Sequence, residues 1–196
     1  MANFKKAFKI MAVSLLASVM FLAAEEYLTS NRFHLKPASG PTADVSAIRE
    51  AFHINAKIGD KMPDGTIYAG ISPTMYRPMY TTPADAPLAA LNNSWAYAKN
   101  LDAYGHRDWY VPSKDELNVL FNNRAAIGGF NLTGENIAGR YWSTTEEQGK
   151  SGGDGWYFSQ QFNHGAQDAD LQYGQHSLRC VRVAPPLAVS TMVLGR

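Results

Sequence analysis

From residue 94 to residue 121 the apolar side chains recur at helical spacing, and from residue 140 onward they gather in short aromatic runs broken by Gly, Asn and Asp. A chain whose hydrophobic period changes in this way lays its helices over strands, so the expected class is α+β. The first helical stretch, "NSWAYAKNLDAYG", offers Ser94 as N-cap, Trp95, Ala98 and Leu101 on one face, and Gly105 beyond its end. The second begins inside "DWYVPSKDEL": Ser113 can accept from the N–H of Glu116 while Glu116 reaches back to Ser113, a capping box ahead of Leu117, Leu120 and Phe121. Trp109 and Pro112 set the entry angle of that helix. Strands are expected in "RYWSTTE", "GWYFSQQF" and "SLRCVRVA", and "TIYAGIS" pairs naturally with "RPMYTTP" as a hairpin. The expected domain is two helices packed on a small twisted antiparallel sheet. Trp95, Trp109, Trp142 and Trp156 are too large to leave in water and read as core anchors together with Pro112.

The N-terminus carries an address. In "MANFKKAFKIMAVSLLASVMFLAAEEY", Lys5, Lys6 and Lys9 precede an apolar run from Ile10 to Ala24, with Glu25 and Glu26 after it. That is the layout of a secretory signal, and the run is short for a membrane span. Ala24 suits a cleavage position but Leu22 is bulkier than usual there, so anchoring in a membrane through residues 10–24 stands beside cleavage. The expected localisation is secreted, periplasmic or cell surface. The chain divides into residues 1–28 as signal peptide or N-terminal anchor helix, 29–57 as a linker with a short helix between Asp44 and Phe52, 58–184 as the globular domain, and 185–196 as an apolar tail. With 45% hydrophobic and 18% charged residues the chain is too apolar for disorder, and a net charge of +1 gives no field for a polyphosphate, so nucleic acid is not an expected partner. The single cysteine excludes an internal disulfide and a thiolate metal cluster.

Catalytic patterns are absent from the sequence. No two of His34, His53, His106, His164 and His176 have the helical spacing of a zinc pair, and there is no Gly-x-Ser-x-Gly elbow or phosphate loop. His106, just before the corner, reads as a solvated or capping residue. Glu146 and Glu147 are adjacent and point to opposite faces of a strand. Asp154, Asp168 and Asp170 could offer oxygens to calcium, but no Asp-x-Asp-x-Asp-Gly run holds them. No enzyme, cofactor or metal is therefore expected. What remains is the polar and aromatic segment from Trp156 to His176. Its candidates for ligand binding are Tyr157, Gln160, Asn163, His164, Gln167, Asp168, Tyr173 and Gln175, which offer hydrogen-bonding tips and rigid rings as paratopes do. The alternative is a wet loop with no partner.

The ordered set "SWAYAKNL", "HRDWYVPSKDEL", "RYWSTTE", "GWYFSQQF" and "SLRCVRV" resembles the Lcl C-terminal domain family, a domain typical of bacterial and phage surface proteins. The resemblance implies a C-type-lectin-like fold, related to formylglycine-generating sulfatase-modifying domains and to the variable receptor-binding proteins of diversity-generating retroelements. It also implies that Ala98 stands where relatives often carry a cysteine, leaving Cys180 as a buried free thiol. The formylglycine-generating chemistry needs a pair of cysteines, and this chain has one. The Glu-Pro-Asn and Trp-Asn-Asp signatures of calcium-dependent sugar binding are missing. The expected function is a non-enzymatic ligand-recognition or adhesin-type domain of an exported surface protein, with a cell-surface protein or glycan as ligand. The alternative is a structural subunit of a virion or appendage, a homo-oligomer in which the N-terminal helix and the C-terminal tail make the assembly contacts.

Overall fold

The computed structural model describes residues 44–133, 137–149 and 155–187. The segment expected to be a signal or anchor, Asp154 and the tail beyond residue 187 lie outside the described residues. Asp44 accepts from the Ser46 N–H at 2.9 Å and opens α1, Val45–Ala51, as the helical reading of this stretch requires. Arg49 ties the helix down by donating to the carbonyls of Ile54 and Ala56 and to the Tyr68 hydroxyl. The described residues form one compact unit. Among the described residues no helix is long and apolar enough to cross a membrane.

The hairpin expected near residue 70 is β1, Ile67–Ile71, against β2, Pro78–Thr81. Its register slips between Tyr68 and Gly70, where Gly70 has a φ of +114° and the Ile58 side chain comes close enough to crowd a Cβ. Next come β3, Ala86–Ala89, the helices α2, Leu91–Asn100, α3, Lys114–Asn122, and α4, Arg124–Ile127, and a single 3-10 turn at Ile137–Gly139. The strands β4, Arg140–Glu146, β5, Trp156–Gln161, β6, Gln167–Leu171, β7, His176–Leu178, and β8, Val181–Val183, complete the fold.

The class is α+β, with two corrections to the expected sheet. The strands form two sheets, one ordered β1-β2-β8 and one ordered β3-β7-β4-β5-β6, and the β4–β7 pair is parallel. The cause lies in "SLRCVRVA", which breaks into β7 and β8 at Arg179 and Cys180. The fully buried Arg179 side chain turns to Asp85 Oδ1 at 2.7 Å and to the carbonyls of Thr82, Gly128 and Gly129. A buried guanidinium needs that full set of acceptors, so the chain bends there and the strand changes sheets. The second correction concerns α2, which starts three residues before Ser94. Ala90 is its extended N-cap without a side-chain bond, Leu91 is fully buried, and the Leu91 N–H is satisfied by the Gln172 carbonyl at 2.9 Å. Ser94 is instead a buried position within the helix.

The corner at residue 113 forms as expected. Ser113 Oγ accepts from the Glu116 N–H at 3.2 Å and Glu116 Oε2 accepts from the Ser113 N–H at 2.9 Å. Glu116 is itself buried, and its Oε1 accepts from Ser72 Oγ at 2.6 Å and from the Tyr110 hydroxyl at 2.7 Å. Burial, and then the Glu116 charge and hydrogen bond, push the Tyr110 phenol well above its ordinary range. One carboxylate thus joins the end of β1, the corner and α3.

Two cores result. Leu117, Leu120, Tyr141, Phe162, Met79 and Val181 pack between α3 and the strands, while Leu91, Ala98, Trp109, Trp142, Leu178 and Cys180 pack beneath α2. Each buried Leu, Val, Met or Phe among them contributes about 1.5–3 kcal/mol by burial. The core assignment holds for Trp109, Pro112, Trp142 and Cys180, which are buried. Trp95 and Trp156 are half-buried: Trp95 lies at the rim of the second core with its ring edge-on to Tyr157 at 5.3 Å, and Trp156 begins the hairpin at the sheet edge.

Candidate recognition site

The polar segment from residue 156 to 176 is largely strand. Trp156 pairs with Leu171, Tyr157 with Asp170, Ser159 with Asp168 and Gln160 with Gln167, and a turn through Gly165, φ +90°, reverses the chain. Paired residues share a face of the sheet. One face therefore carries Tyr157, Ser159, Asp168 and Asp170, joined from β4 and β7 by Arg140, Trp142 and His176. The other face carries Gln160 and Gln167.

On the first face Asp170 is the centre. Its Oδ2 accepts from Arg140 Nη1 at 2.6 Å and from Ser159 Oγ at 2.6 Å. Arg140 also donates to Ser159 Oγ at 3.2 Å and lies 3.6 Å from Asp168. His176, buried and stacked on Trp142 at 4.2 Å, brings Nε2 to 3.2 Å from Asp170 Oδ2 without meeting the alignment of a hydrogen bond. Burial alone would raise the Asp170 carboxyl, but the contacts with His176, Ser159 and Arg140 outweigh it and hold the group well below the usual carboxylate range. Chemically this is an ionised carboxylate locked by its donors. In a serine relay the imidazole stands between hydroxyl and carboxylate; here Ser159 donates directly to the carboxylate, which stands between hydroxyl and imidazole, so the order differs from that of a relay. Among the described residues no three His, Cys, Asp or Glu side chains converge on a metal position.

The sequence-predicted ligand residues do not form one patch. Gln160, 1% exposed, points inward and donates to Asn118 Oδ1 and the Gly165 carbonyl, so it is corrected from ligand tip to internal strut. Gln167 follows it, donating to the Lys114 carbonyl and to Gln160 Oε1. Both amides face α3 because the strand period puts them there, and an amide on that face must satisfy its donors internally. Asn163 and His164 lie in the β5–β6 turn, where each is used by the backbone: His164 N–H donates to Asn163 Oδ1 and Ala166 N–H to His164 Nδ1. Tyr173 and Gln175 lie at the opposite end of β6 and are exposed. Tyr157 and Asp168 remain on the Asp170 face, the first half-buried and the second exposed.

The loop from Gln172 to Gln175 is short and held. Gln172 N–H donates to the Gly155 carbonyl at 2.8 Å, Gly174 N–H to Leu171 at 2.8 Å, and the Gln172 carbonyl receives the Leu91 N–H. Tyr173 stands out from it with 72% of its surface in water. Sequence reasoning missed Arg140 and Ser159, weighed Asp170 only as a calcium ligand, and named His176 only among the histidines and as the end of the polar segment. The one local signal was charge within strand-forming runs, Arg140 in "RYWSTTE" and Asp170 in "QDADL", which on a half-buried sheet calls for a partner across the strands.

The described residues make an α+β unit of two sheets and two principal helices, with Arg140, Asp168 and Asp170 on one face of the larger sheet and Tyr173 exposed in the loop after β6. The chain belongs to the Lcl C-terminal domain family, whose model matches residues 71–182, more than half of its length. None of the curated proteins matches the chain.

Proposed function

We propose that this chain is a non-enzymatic ligand-recognition domain of an exported bacterial or phage-encoded surface protein, with a C-type-lectin-like fold, binding a protein or glycan on a cell surface. The observation that carries the reading is Tyr173, an aromatic side chain kept in water by a loop whose backbone is hydrogen-bonded to α2, to Gly155 and to itself. A rigid aromatic on a fixed loop gives contact area at low entropic cost, which is how recognition loops on scaffolds work. Tyr157 and the exposed Asp168 extend the same surface along β5 and β6. The layout of residues 1–28 supports export.

Because the candidates separate to the two ends of β6, the reading is tested by which end matters. Alanine at Tyr173 and Gln175 is compared with alanine at Asn163 and His164 for binding to whole cells and to glycan arrays. The reading expects loss from the Tyr173 end and retention from the turn end. Equal retention at both ends overturns it.

A further inference from the structure

We propose that Asp170 and His176 are positioning residues for recognition, a latch across the base of the loop that carries Tyr173. This deepens the proposed function and rests on it. Asp170 immediately precedes Leu171 and His176 immediately follows Gln175, so the 3.2 Å approach of Nε2 to Oδ2 joins the two stems of the loop. Each partner is also fixed by other contacts. Asp170 Oδ2, the oxygen that His176 approaches, accepts from Arg140 and Ser159, and the His176 ring packs at a tilt against the fully buried Trp142. The loop rests on the imidazole as well: a Cβ at Gly174 would lie 3.5 Å from His176 Nε2.

The three backbone hydrogen bonds fix Gln172 and Gly174, but none of them joins the β6 stem to the β7 stem. The Asp170–His176 contact does so directly, whereas the sheet joins the two stems only through β5 and β4. Without it the segment between the stems can move while both sheets stay intact, and a loop that samples several conformations binds more weakly in proportion to the fraction that is competent. The latch acts through Tyr173 and need not touch the ligand.

The test uses the full chain. His176→Phe keeps a ring on Trp142 and removes Nε2; His176→Gln places an amide nitrogen near the Nε2 position. Amide hydrogen exchange at Gln172–Gln175 should quicken by about tenfold or more in His176→Phe, with Ser159 and Gln161 unchanged, and should return toward the parent rate in His176→Gln. Unchanged loop exchange in His176→Phe overturns the latch. So does quickening that spreads equally through β5, because that is general loosening. Binding to whole cells is read in parallel. A quickened loop with unchanged cell binding sinks the positioning role, and if Tyr173→Ala also leaves cell binding unchanged, the recognition reading itself has failed while the exchange result stands.

Discussion

Glu116 and Asp170 are both carboxylates centred in hydrogen-bond networks, and they serve different ends. Glu116 is buried and accepts only from neutral groups, Ser72 after β1 and Tyr110 and the Ser113 N–H in the corner before α3. Asp170 is about a third exposed, accepts from Arg140 and Ser159, and has His176 beside it. A buried carboxylate without a cation survives only with its oxygens fully donated to, which makes it a staple that cannot move. A carboxylate at the surface with a guanidinium beside it can be edged by solvent and by a loop. The comparison separates the part of this molecule that holds shape from the part that we propose presents a surface.

Breaking the staple should have the largest effect. Glu116→Ala leaves the Ser72 and Tyr110 hydroxyls and the Ser113 N–H without their acceptor, and we expect a loss of about 3 kcal/mol or more in urea unfolding. Trp109→Ala, which opens a cavity behind the same corner, should cost about 3–5 kcal/mol. If either variant unfolds at the parent's midpoint, the corner is not a staple.

Asp170→Asn should cost less, about 1–2 kcal/mol near neutral pH, since the amide keeps some of the contacts. Its pH dependence sharpens the contrast. A carboxyl held below its unfolded value stabilises the fold fully above the unfolded pKa of about 4, and loses that contribution as pH falls through the folded value. The gap between parent and Asp170→Asn melting temperatures should therefore be widest near pH 6 and close as pH falls below about 4. Asp64 and Asp108, also held low, keep their own acid limbs in both proteins and cancel in the difference. A constant gap from pH 6 to pH 3 would contradict this assignment.

Cys180 offers a check with no mutation. Burial pushes the thiol up to about 12, against a smaller lowering by Arg179, so thiolate is scarce at neutral pH. A water-soluble thiol reagent should label it slowly until denaturant is added, and rapid stoichiometric labelling of the native protein would place it elsewhere than in the second core.

The capping half of the staple was legible in the sequence, while its bonds to Ser72 and Tyr110 and the charged strip were not, for a physical reason. Ser113 and Glu116 act within one helical turn, so the capping pattern reads locally and fixes the start of α3. The hairpin of β1 and β2 was also legible, from the runs "TIYAGIS" and "RPMYTTP" close together in sequence. In contrast, Arg140, Ser159, Asp170 and His176 meet only through strand order, with β7 brought beside β4 in parallel. Residues 156–171 place polar side chains on both faces, Gln160 and Gln167 on one and Ser159 and Asp168 on the other, which hides the alternation that identifies a strand. The break at Arg179 depends on Asp85, far away in sequence, and no local pattern announces it.

The central claim is that Tyr173 serves a partner and not the fold. Its most direct test is Tyr173→Ala in the full chain, measured for thermal midpoint and for binding to whole cells in the same preparation. An exposed side chain should change stability by no more than about 0.5 kcal/mol, while loss of an aromatic at the centre of an interface should weaken binding by about 2 kcal/mol, some thirtyfold. The account predicts an unchanged midpoint with binding lost; unchanged binding, or binding lost only together with the fold, would contradict it.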